Sequence, residues 1–310
     1  MKARNNSFEK AAEEFRRELS GKVEERALMK RHTSFRIGGL CELMVFPADA
    51  AGLAKVIEYC EQQSLLWRVI GRGSNLLVMD SGVREVMVNL QEGLDEIEAI
   101  GETGVRAGAG AKLSRLVKFC QDLGLAGLEW AAGIPGTVGG AVRMNAGAEK
   151  MDVAQVLKSV EFYKWPEGIY FRARNELKFG YREFEMAPKE IIVAAEFNLT
   201  RDGPAAIRER VQAALKRRRQ SQPVSYPSAG SVFKNPEGDY AGRLIEEVGL
   251  KGLRNGDAQV SELHANFIIN RGRAKASQVL ELIEVIRDKV RKEKGVELQL
   301  EIEIVGDQNG

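Results

Sequence analysis

Apolar residues recur along this 310-residue chain with two different spacings. At the start, residues 1–30 are predicted to form a charged helical leader, because apolar residues return there at helical intervals, at Phe8, Ala12, Phe15 and Leu19. The same spacing predicts further helices at 49–63, 112–123, 204–219, 241–248 and 276–294. Short apolar runs between them predict strands at 42–47, 67–70, 76–79, 86–90, 155–165, 190–200, 266–270 and 297–305.

The order of these elements predicts more than one domain. A chain of this length exceeds the usual size of a single domain. Helices and strands alternate from Glu42 onward, and the pattern changes at Asp202-Gly203-Pro204, where a long helix begins. We therefore expect a helical leader at 1–30, a larger N-terminal α/β domain at 31–202 and a smaller C-terminal α+β domain at 203–310.

Composition excludes several classes of protein. Apolar residues make up 44% of the chain and the formal net charge is only +2, so no large basic field indicates a nucleic-acid partner. No apolar run approaches a membrane span and the first residues lack a signal-peptide pattern, so a cytoplasmic protein is expected. Cys41, Cys60 and Cys120 lie far apart with no CxxC, so neither a disulfide framework nor a zinc cluster is expected. Only two histidines are present and no metal site is predicted.

Two glycine-rich segments suggest a ligand site. GIPGTVGGAVRMNAGA, at 133–148, carries five glycines and no acid. Glycine allows positive φ and a close backbone approach, so this segment suits a phosphate or the edge of a large cofactor; a tight loop between packed elements is the alternative. GRGSN, at 71–75, opens a strand rather than a helix, which disfavours a Rossmann site; Ser74 and Asn75 would add donors, and a plain hairpin turn is the alternative. Two such loops favour one ligand with a diphosphate and a large ring system, such as a dinucleotide.

Three polar residues lie in segments that suit catalysis. Ser231 lies on a glycine turn in SAGSVFKNP (228–236), where a serine acts as a nucleophile or a proton donor; most serines in such turns bond their own backbone. Arg182 lies in FGYRE, and Glu301 lies on the polar face of ELQLEIEIV (297–305). For both, a solvated surface position is the ordinary explanation. Composition alone does not distinguish these alternatives.

Five motifs occur in order along the chain: HTSFRIGG (32–39), GRGSNLLV (71–78), GIPGTVGGAVRMNAGA (133–148), GSVFKNP (230–236) and SELHANFIINRG (261–272). Together they resemble the UDP-N-acetylenolpyruvoylglucosamine reductase (MurB) family over nearly the whole chain, from about Arg31 to Gly306. The spacing before GSVFKNP resembles the shorter type of the family, which lacks an inserted substrate-covering loop. The resemblance implies an α+β protein: a vanillyl-alcohol-oxidase-like (PCMH-type) FAD-binding unit of two α/β subdomains with a smaller C-terminal α+β substrate domain.

The same resemblance implies an activity and its participants. The enolpyruvyl ether of UDP-N-acetylglucosamine would be reduced to UDP-N-acetylmuramate, a committed step of peptidoglycan precursor synthesis. FAD would be the non-covalent cofactor and NADPH the reducing co-substrate. A monomer is expected, with no nucleic-acid partner and no membrane insertion.

The resemblance also implies roles for individual residues. Ser231 aligns with the proton donor of the family, and Arg182 and Glu301 align with groups that stabilise the negative charge developing on the substrate. Substrate contacts are assigned to Tyr181, Lys234 and Asn235. FAD contacts are implied at Arg36, Gly71, Gly73, Ser74, Asn75, Gly133, Ile134, Gly136, Thr137, Gly139 and Gly140. A side chain at Gly139 is expected to enter the space of the ligand.

The chain departs from the family pattern near these residues. Phe184 stands where the family usually has a serine two residues after the Tyr-Arg pair. Leu300 and Glu303 stand where a proline and an arginine are usual. Glu149-Lys150 replaces a usual Tyr-Gly.

Two other functions are compatible with such a fold. One is a different FAD oxidoreductase, such as an α-hydroxy-acid oxidase, and the other is a flavin-binding protein without catalysis. Some relatives of the first kind attach flavin covalently through a histidine in the glycine loop; GRGSN contains none, so attachment there is excluded. The presence of Ser231, Arg182 and Glu301 argues against the second.

Overall fold

The computed structural model describes residues 2–306, with side chains from Ser7 onward. The predicted leader and C-terminal domain extend outside the described residues, by Met1 and by 307–310. By their contacts the described residues form two compact units, and each unit is assembled from three stretches of chain. Unit 1 contains residues 2–26, 42–72 and 85–216, and unit 2 contains residues 27–41, 73–84 and 217–306.

The described residues form helices of very different lengths and many short strands. The α-helices are α1 (Lys2–Glu18), α2 (Ala50–Gln62), α3 (Leu113–Asp122), α4 (Val138–Arg143), α5 (Val153–Val156), α6 (Pro204–Ser221), α7 (Ala241–Glu247) and α8 (Ala276–Lys294). The strands are β1 (Gly21–Leu28), β2 (Leu40–Pro47), β3 (Trp67–Ile70), β4 (Leu76–Val78), β5 (Val83–Asn89), β6 (Ile97–Ile100), β7 (Gly104–Gly108), β8 (Leu125–Ala126), β9 (Gly147–Ala148), β10 (Met151–Asp152), β11 (Leu157–Lys164), β12 (Gly168–Ala173), β13 (Phe179–Gly180), β14 (Glu183–Phe184), β15 (Ile191–Asn198), β16 (Thr200–Arg201), β17 (Ser228–Ser231), β18 (Arg254–Asn255), β19 (Ala258–Val260), β20 (Phe267–Asn270) and β21 (Glu303–Val305).

Unit 1 is built around a five-stranded antiparallel sheet with the strand order β12-β11-β15-β7-β6. It also holds β3 and the greater part of β1, β2 and β5, which form a four-stranded sheet in the order β1-β2-β5-β3. Helix α2 is capped by Asp49, whose Oδ1 accepts a hydrogen bond from the Gly52 N–H at 2.7 Å, as predicted. Helix α1 packs through the buried Phe15, whose ring centroid lies 5.2 Å from that of Tyr59 in α2.

Unit 2 contains a four-stranded antiparallel sheet with the order β17-β20-β19-β18. Strand β21 pairs in parallel with β4, and Glu303 lies opposite Leu76. Helix α8 buries one apolar face and ends at Gly295, which has the left-handed conformation (φ 68°) that favours glycine. Phe233, fully buried, belongs to the same apolar core as the buried residues of α8.

Two predicted elements differ from the structure. The leader is helical only to Glu18, because residues 21–28 pair as strand β1 at the edge of a sheet. The terminal strand predicted at 297–305 is a regular strand only at Glu303–Val305. Its alternation is nevertheless retained, since Leu298 and Ile302 are buried whereas Glu297 is exposed. Before Glu303 the segment makes isolated backbone pairings instead of a continuous ladder.

The two compact units follow a different division from the linear domains predicted at 31–202 and 203–310. Residues 27–41 and 73–84 group with the C-terminal part of the chain. Helix α6 groups with unit 1 up to Lys216, because its buried Ile207 and Val211 belong to the core of that unit. The linear domain limits stay a prediction. Among the described helices, none combines the length and apolar composition that a bilayer span needs.

Candidate active site

The two glycine loops approach each other inside unit 1. Gly71 directly follows β3, and Thr137 directly precedes α4. A Cβ atom on Gly71 would overlap the Thr137 hydroxyl, so only glycine allows this approach. Gln91 also holds the first of these loops, because its Nε2 donates to the Gly71 carbonyl at 3.2 Å. The structure therefore brings together two loops that lie about sixty residues apart in the sequence.

The glycine-rich segment contains a short helix, α4, which the sequence did not predict. Thr137 is 2% exposed and caps this helix, because its Oγ1 accepts from the Gly140 N–H at 3.5 Å. The Val138 and Gly139 N–H groups donate at 2.9 Å to the backbone carbonyls of Ala111 and Ala109. Within residues 2–306, the N–H groups of Gly136 and Thr137 donate to no protein acceptor. Of the residues from Gly136 to Gly139, only Gly136 and Thr137 therefore keep main-chain N–H groups available to a phosphate.

Two neighbouring glycines of α4 have different reasons for being glycine. A Cβ on Gly139 would lie 2.8 Å from the Ala109 Cβ, so a side chain there meets the protein itself. The expectation that it would enter ligand space is therefore wrong. A Cβ on the exposed Gly140 would meet only the Thr137 Oγ1, at 3.6 Å, which is ordinary contact. Internal packing explains Gly139, whereas no close packing contact explains Gly140.

The remaining residues of this segment turn the chain into α4. Gly133 is exposed and has φ 78°, and Gly136 has φ 137°, both in the region that favours glycine. Ile134 is half-buried and packs against the core of unit 1. Backbone freedom is thus concentrated where the N–H groups lack protein acceptors. This part of unit 1 fits a cofactor phosphate that approaches the main chain.

In unit 2, the segment HTSFRIGG packs against the end of the GRGSN loop. The Ser34 N–H donates to the Gly73 carbonyl at 3.2 Å, and a Cβ on Gly73 (φ 58°) would overlap the His32 carbonyl. Arg36 has φ 55°, which is unusual for a residue with a side chain. The buried Asn270 holds it there, because its Nδ2 donates to the Phe35 and Arg36 carbonyls at 3.1 and 3.3 Å. The Arg36 side chain is exposed.

Asn75 connects the same loop to the segment that carries Glu301. Its Nδ2 donates to the Glu301 carbonyl at 3.0 Å, and its own carbonyl accepts from the Glu303 N–H at 2.9 Å. Ser74 and Asn75 form the turn that leads into β4. Asn75 thus fixes the backbone of Glu301, a role that the sequence did not indicate. Contacts of Ser74 and Asn75 with FAD stay a prediction.

Ser231 and Glu301 are brought to the same place in unit 2 by backbone pairing. Ser231 ends β17, opposite Phe267 of β20, after an irregularity at Gly230 (φ 80°). The carbonyl of the next residue, Val232, accepts from the Glu301 N–H at 2.8 Å. The two predicted catalytic residues therefore lie on adjacent, hydrogen-bonded segments although they are seventy positions apart.

A buried asparagine fixes the segment that follows Ser231. The Asn266 Oδ1 accepts from the Phe233 N–H at 2.9 Å, and its Nδ2 donates to the Phe233 carbonyl at 2.8 Å. Asn266 is 3% exposed. Leu300 pairs with Phe233 on the other side. Sequence reasoning missed Asn266, and the available signal was a polar residue inside the apolar run HANFIIN.

The two predicted substrate residues of GSVFKNP differ in their surroundings. The Lys234 N–H donates to the Gln299 carbonyl at 2.8 Å, while its half-buried ammonium has no carboxylate partner within the described part of the chain. The Asn235 Oδ1 accepts from the Ala241 N–H at 3.1 Å, at the start of α7. Asn235 thus stabilises the conformation of its own loop. Lys234 is the residue whose positive charge is available to bind an anion.

Arg182 lies in unit 1, in the two-residue turn of the β13–β14 hairpin, with φ 54°. Its Nη2 donates to the Gly147 carbonyl at 2.7 Å, and its Nη1 makes a longer bond of 3.4 Å to the Asn145 carbonyl. The guanidinium carbon lies 5.3 Å from the ring centroid of Tyr181, which is 52% exposed. Arg182 and Tyr181 therefore belong to unit 1, and Ser231 and Glu301 belong to unit 2.

The departures from the family pattern have structural explanations in part. Phe184 is buried and stacks on Phe179 with ring centroids 4.2 Å apart, so it is a core residue. Glu149 and Lys150 form the turn between β9 and β10, with φ 55° and 69°. Both residues occupy the left-handed region that a turn of this kind usually fills with glycine or asparagine. Glu303 is exposed.

The described cysteines do not suit a covalent flavin link. Burial raises the pKa of both Cys60 and Cys120 to about 12, so their thiols stay protonated at neutral pH. Cys41 is also buried. Burial of these thiols therefore disfavours a covalent link between a flavin and a cysteine.

Comparison with known proteins agrees with this arrangement. Residues 41–174 match the family model of the FAD binding domain, and residues 222–305 match that of the UDP-N-acetylenolpyruvoylglucosamine reductase C-terminal domain. The UDP-N-acetylenolpyruvoylglucosamine reductase of Halalkalibacterium halodurans is 41% identical over 97% of this chain and 100% of its own length. That of Anoxybacillus flavithermus is 43% identical over 96% of this chain and 99% of its own. The chain belongs to the UDP-N-acetylenolpyruvoylglucosamine reductase family.

A solved structure of this family confirms the fold. The crystal structure of the enzyme from Thermus caldophilus superposes with a TM-score of 0.81 at 38% identity, covering 92% of this chain and 100% of that one. The predicted family and fold class, an FAD-binding unit with a further C-terminal domain, are confirmed. The chain is an FAD-dependent oxidoreductase of the UDP-N-acetylenolpyruvoylglucosamine reductase family.

Proposed function

We propose that this oxidoreductase reduces the enolpyruvyl ether of UDP-N-acetylglucosamine to UDP-N-acetylmuramate, with NADPH as reductant, in the cytoplasmic synthesis of peptidoglycan precursors. The observation that best supports the proposal is the backbone hydrogen bond from the Glu301 N–H to the Val232 carbonyl, because it joins the segment of Glu301 to the residue that follows Ser231 at the end of β17. Two relatives that are 41% and 43% identical to this chain are named UDP-N-acetylenolpyruvoylglucosamine reductase, which supports the choice of substrate.

Bound FAD supplies hydride transfer, and the residues of the chain bind, orient and protonate the substrate. Hydride addition to the terminal enolpyruvyl carbon moves negative charge onto the adjacent carbon and its carboxylate. The Arg182 guanidinium, with five N–H donors in a planar fork, stabilises that carboxylate. Glu301 lies on the segment adjacent to Ser231. In its protonated form, its carboxyl O–H would donate a hydrogen bond to the oxygens that carry the developing charge.

Ser231 completes the reaction by donating a proton to the adjacent carbon. A hydroxyl is a weak acid, and its pKa matches this task only because a carbanion is a very strong base. The position of the hydroxyl then matters more than its acidity. The pairing of β17 with β20 and the Asn266 bonds to Phe233 fix the backbone on both sides of Ser231.

The nucleotide part of the substrate is assigned to unit 2. Lys234 is half-buried and forms no ion pair within residues 2–306, so a diphosphate would neutralise its ammonium group. Asn235 and the exposed Tyr181 are further substrate contacts. We also propose that FAD contacts the eleven residues assigned from the family motifs, that the domain limits lie near 31 and 203, and that the enzyme is a monomer.

The absorbance of the purified protein tests this function. We expect a yellow protein whose flavin is bleached by NADPH and reoxidised by UDP-N-acetylglucosamine enolpyruvate. Acid precipitation should release FAD into the supernatant, because no covalent link holds it. Reoxidation by a 2-hydroxy acid's keto product or by oxygen alone, with no response to the enolpyruvyl nucleotide, would identify a different FAD oxidoreductase.

A further inference from the structure

Asn145 is a buried polar residue that the mechanism above does not use. It is 4% exposed and lies between α4 and β9, with φ 39°. Its Oδ1 accepts from the Ala154 N–H at 3.1 Å, and its Nδ2 donates to the Gly180 carbonyl at 2.9 Å and, more weakly, to Asp152 Oδ2 at 3.4 Å. The side chain therefore joins two different segments of unit 1.

One of those segments is the hairpin that carries Arg182. Gly180 ends β13, two residues before Arg182. The bond from Asn145 Nδ2 to the Gly180 carbonyl fixes the base of the hairpin, while the Asn145 and Gly147 carbonyls accept from the Arg182 guanidinium. The same short segment, 145–147, thus holds both the main chain and the charged group of this arginine.

The surroundings of Gly147 make the same point. A Cβ on Gly147 would lie 3.1 Å from the Arg182 Nη1 and would overlap the Met151 carbonyl. The guanidinium therefore lies directly over the backbone of this segment. The glycine-rich stretch 133–148 continues from α4 into this segment, so the two ends of the stretch have different roles. The first half suits a cofactor, and the second half receives the arginine.

We propose that Asn145 is a positioning residue for Arg182: it holds the β13–β14 hairpin so that the guanidinium meets the substrate carboxylate. This inference rests on the proposed function, in which Arg182 acts only when the enolpyruvyl substrate is reduced. Loss of the Asn145 amide therefore slows reoxidation of the flavin by substrate and leaves bleaching by NADPH unchanged. A merely structural asparagine would affect both steps or neither.

Asn145→Asp is the sharpest variant. Aspartate retains an oxygen for the Ala154 N–H and tolerates positive φ, but it loses the donor to the Gly180 carbonyl. In stopped-flow measurements on the FAD-loaded enzyme, we expect reoxidation by UDP-N-acetylglucosamine enolpyruvate to slow about tenfold, an effect of the size seen for coupled neighbours. Asn145→Gly keeps the backbone conformation and removes the side chain, so it serves if the aspartate does not fold.

A matched control is Gln155→Glu. Gln155 Nε2 donates to the Lys150 carbonyl at 3.1 Å, so this exposed change also converts an amide to an acid and removes one bond to a backbone carbonyl. It does not contact Arg182, and we expect both half-reactions to stay within about twofold of the parent, as for other exposed sites.

A double-mutant cycle decides the question. If Asn145 acts through Arg182, Asn145→Asp should have no further effect on reoxidation in an Arg182→Ala background. An equal slowing in both backgrounds, or equal slowing of bleaching and reoxidation, would overturn the positioning role alone. A normal reoxidation rate for Arg182→Ala itself would contradict the proposed role of the arginine, and the positioning role with it.

Discussion

The two units position their proposed functional residues by different means. Unit 1 does so with glycines that let loops approach closely, as Gly71 and Thr137 do. Unit 2 does so with strand pairing and a buried asparagine, which bring Ser231 and Glu301 onto adjacent segments. The first device shapes a surface, and the second fixes the positions of particular side chains.

This difference teaches what each unit contributes to the reaction. A surface of main chain binds a cofactor through contacts that no single side chain provides. A fixed side chain contributes to a chemical step, because its position decides whether a proton reaches the reacting atom. Changes to the glycine loops of unit 1 should therefore alter flavin retention, and changes to Ser231 and Glu301 in unit 2 should alter the rate of substrate reduction.

The largest effect is expected from Ser231→Ala. The hydroxyl acts only when the substrate collects its proton, so NADPH should still bleach the flavin at a near-normal rate. Reoxidation by the enolpyruvyl substrate should slow by roughly 10²–10⁴-fold, as for loss of a positioned general acid. Ser231→Cys should restore part of the rate, because a thiol also donates a proton. Stopped-flow absorbance separates the two steps.

Ser228→Ala is the control for that prediction, because Ser228 begins the same strand, β17, and its carbonyl accepts from Ser34 Oγ. Its hydroxyl has no part in the mechanism, so both half-reactions should be retained. Equal slowing of bleaching and reoxidation by Ser231→Ala would show that the serine is only a turn residue and would break the contrast between the units.

The next largest effect is a loss of stability on Asn266→Ala. This change leaves the N–H and the carbonyl of Phe233, both inside unit 2, without their partner. We expect the free energy of unfolding to fall by about 2–4 kcal/mol, measured by urea denaturation. Asn198→Ala, at an exposed position, should change it by less than about 0.5 kcal/mol. An equal loss of stability in the two variants would contradict the role of Asn266 in holding the backbone of Phe233.

The adjacent glycines of α4 sharpen the comparison within unit 1. Gly139→Ala should lower the stability of the flavin-free protein by about 1–3 kcal/mol, because the new Cβ would press on Ala109. Gly140→Ala should instead raise it by up to about 1 kcal/mol, since alanine favours a helix. If a ligand lies against Gly140, the same change should reduce the flavin retained after gel filtration. Undiminished retention would contradict a cofactor at this surface.

The smallest effect is expected at the β9–β10 turn. Lys150 has φ 69°, so Lys150→Gly should relieve backbone strain and raise the free energy of unfolding by about 0.5–1 kcal/mol. Lys158→Gly, within β11, is the opposite case and should destabilise the protein. Thermal unfolding distinguishes the two, and destabilisation by Lys150→Gly would show that the lysine side chain makes a compensating contribution.

Much of the fold follows from local pattern. The 3.6-residue spacing predicts α2, α3 and α8 because each buries one apolar face, and Asp49 marks the start of the first of them. The strand β1 was missed because Lys22-Val23-Glu24 has no apolar alternation, and only its place at a sheet edge makes it a strand. The terminal strand was predicted too long. The alternation of apolar and polar residues shows which side chains are buried, whereas a regular strand also needs a neighbouring strand that pairs with it continuously.

The candidate site was predictable to a different degree in each unit. The glycines of unit 1 are conspicuous in the sequence, although the reason for Gly139 was wrong, because sequence does not reveal that Ala109 lies against it. In unit 2, no local signal connects Ser231 with Glu301, and only the family resemblance indicated both. The positioning roles of Asn75 and Asn145 depend on contacts between distant segments, which no spacing rule contains.

Hydrogen exchange of the FAD-loaded enzyme tests the division between the units most directly. UDP-N-acetylglucosamine enolpyruvate, added without NADPH, is bound but not reduced. We expect added protection of backbone amides in residues 228–236 and 297–305, where Ser231, Lys234 and Glu301 lie. Protection confined to residues 42–72 and 85–150, which belong to unit 1, would contradict the assignment of the UDP-sugar to unit 2.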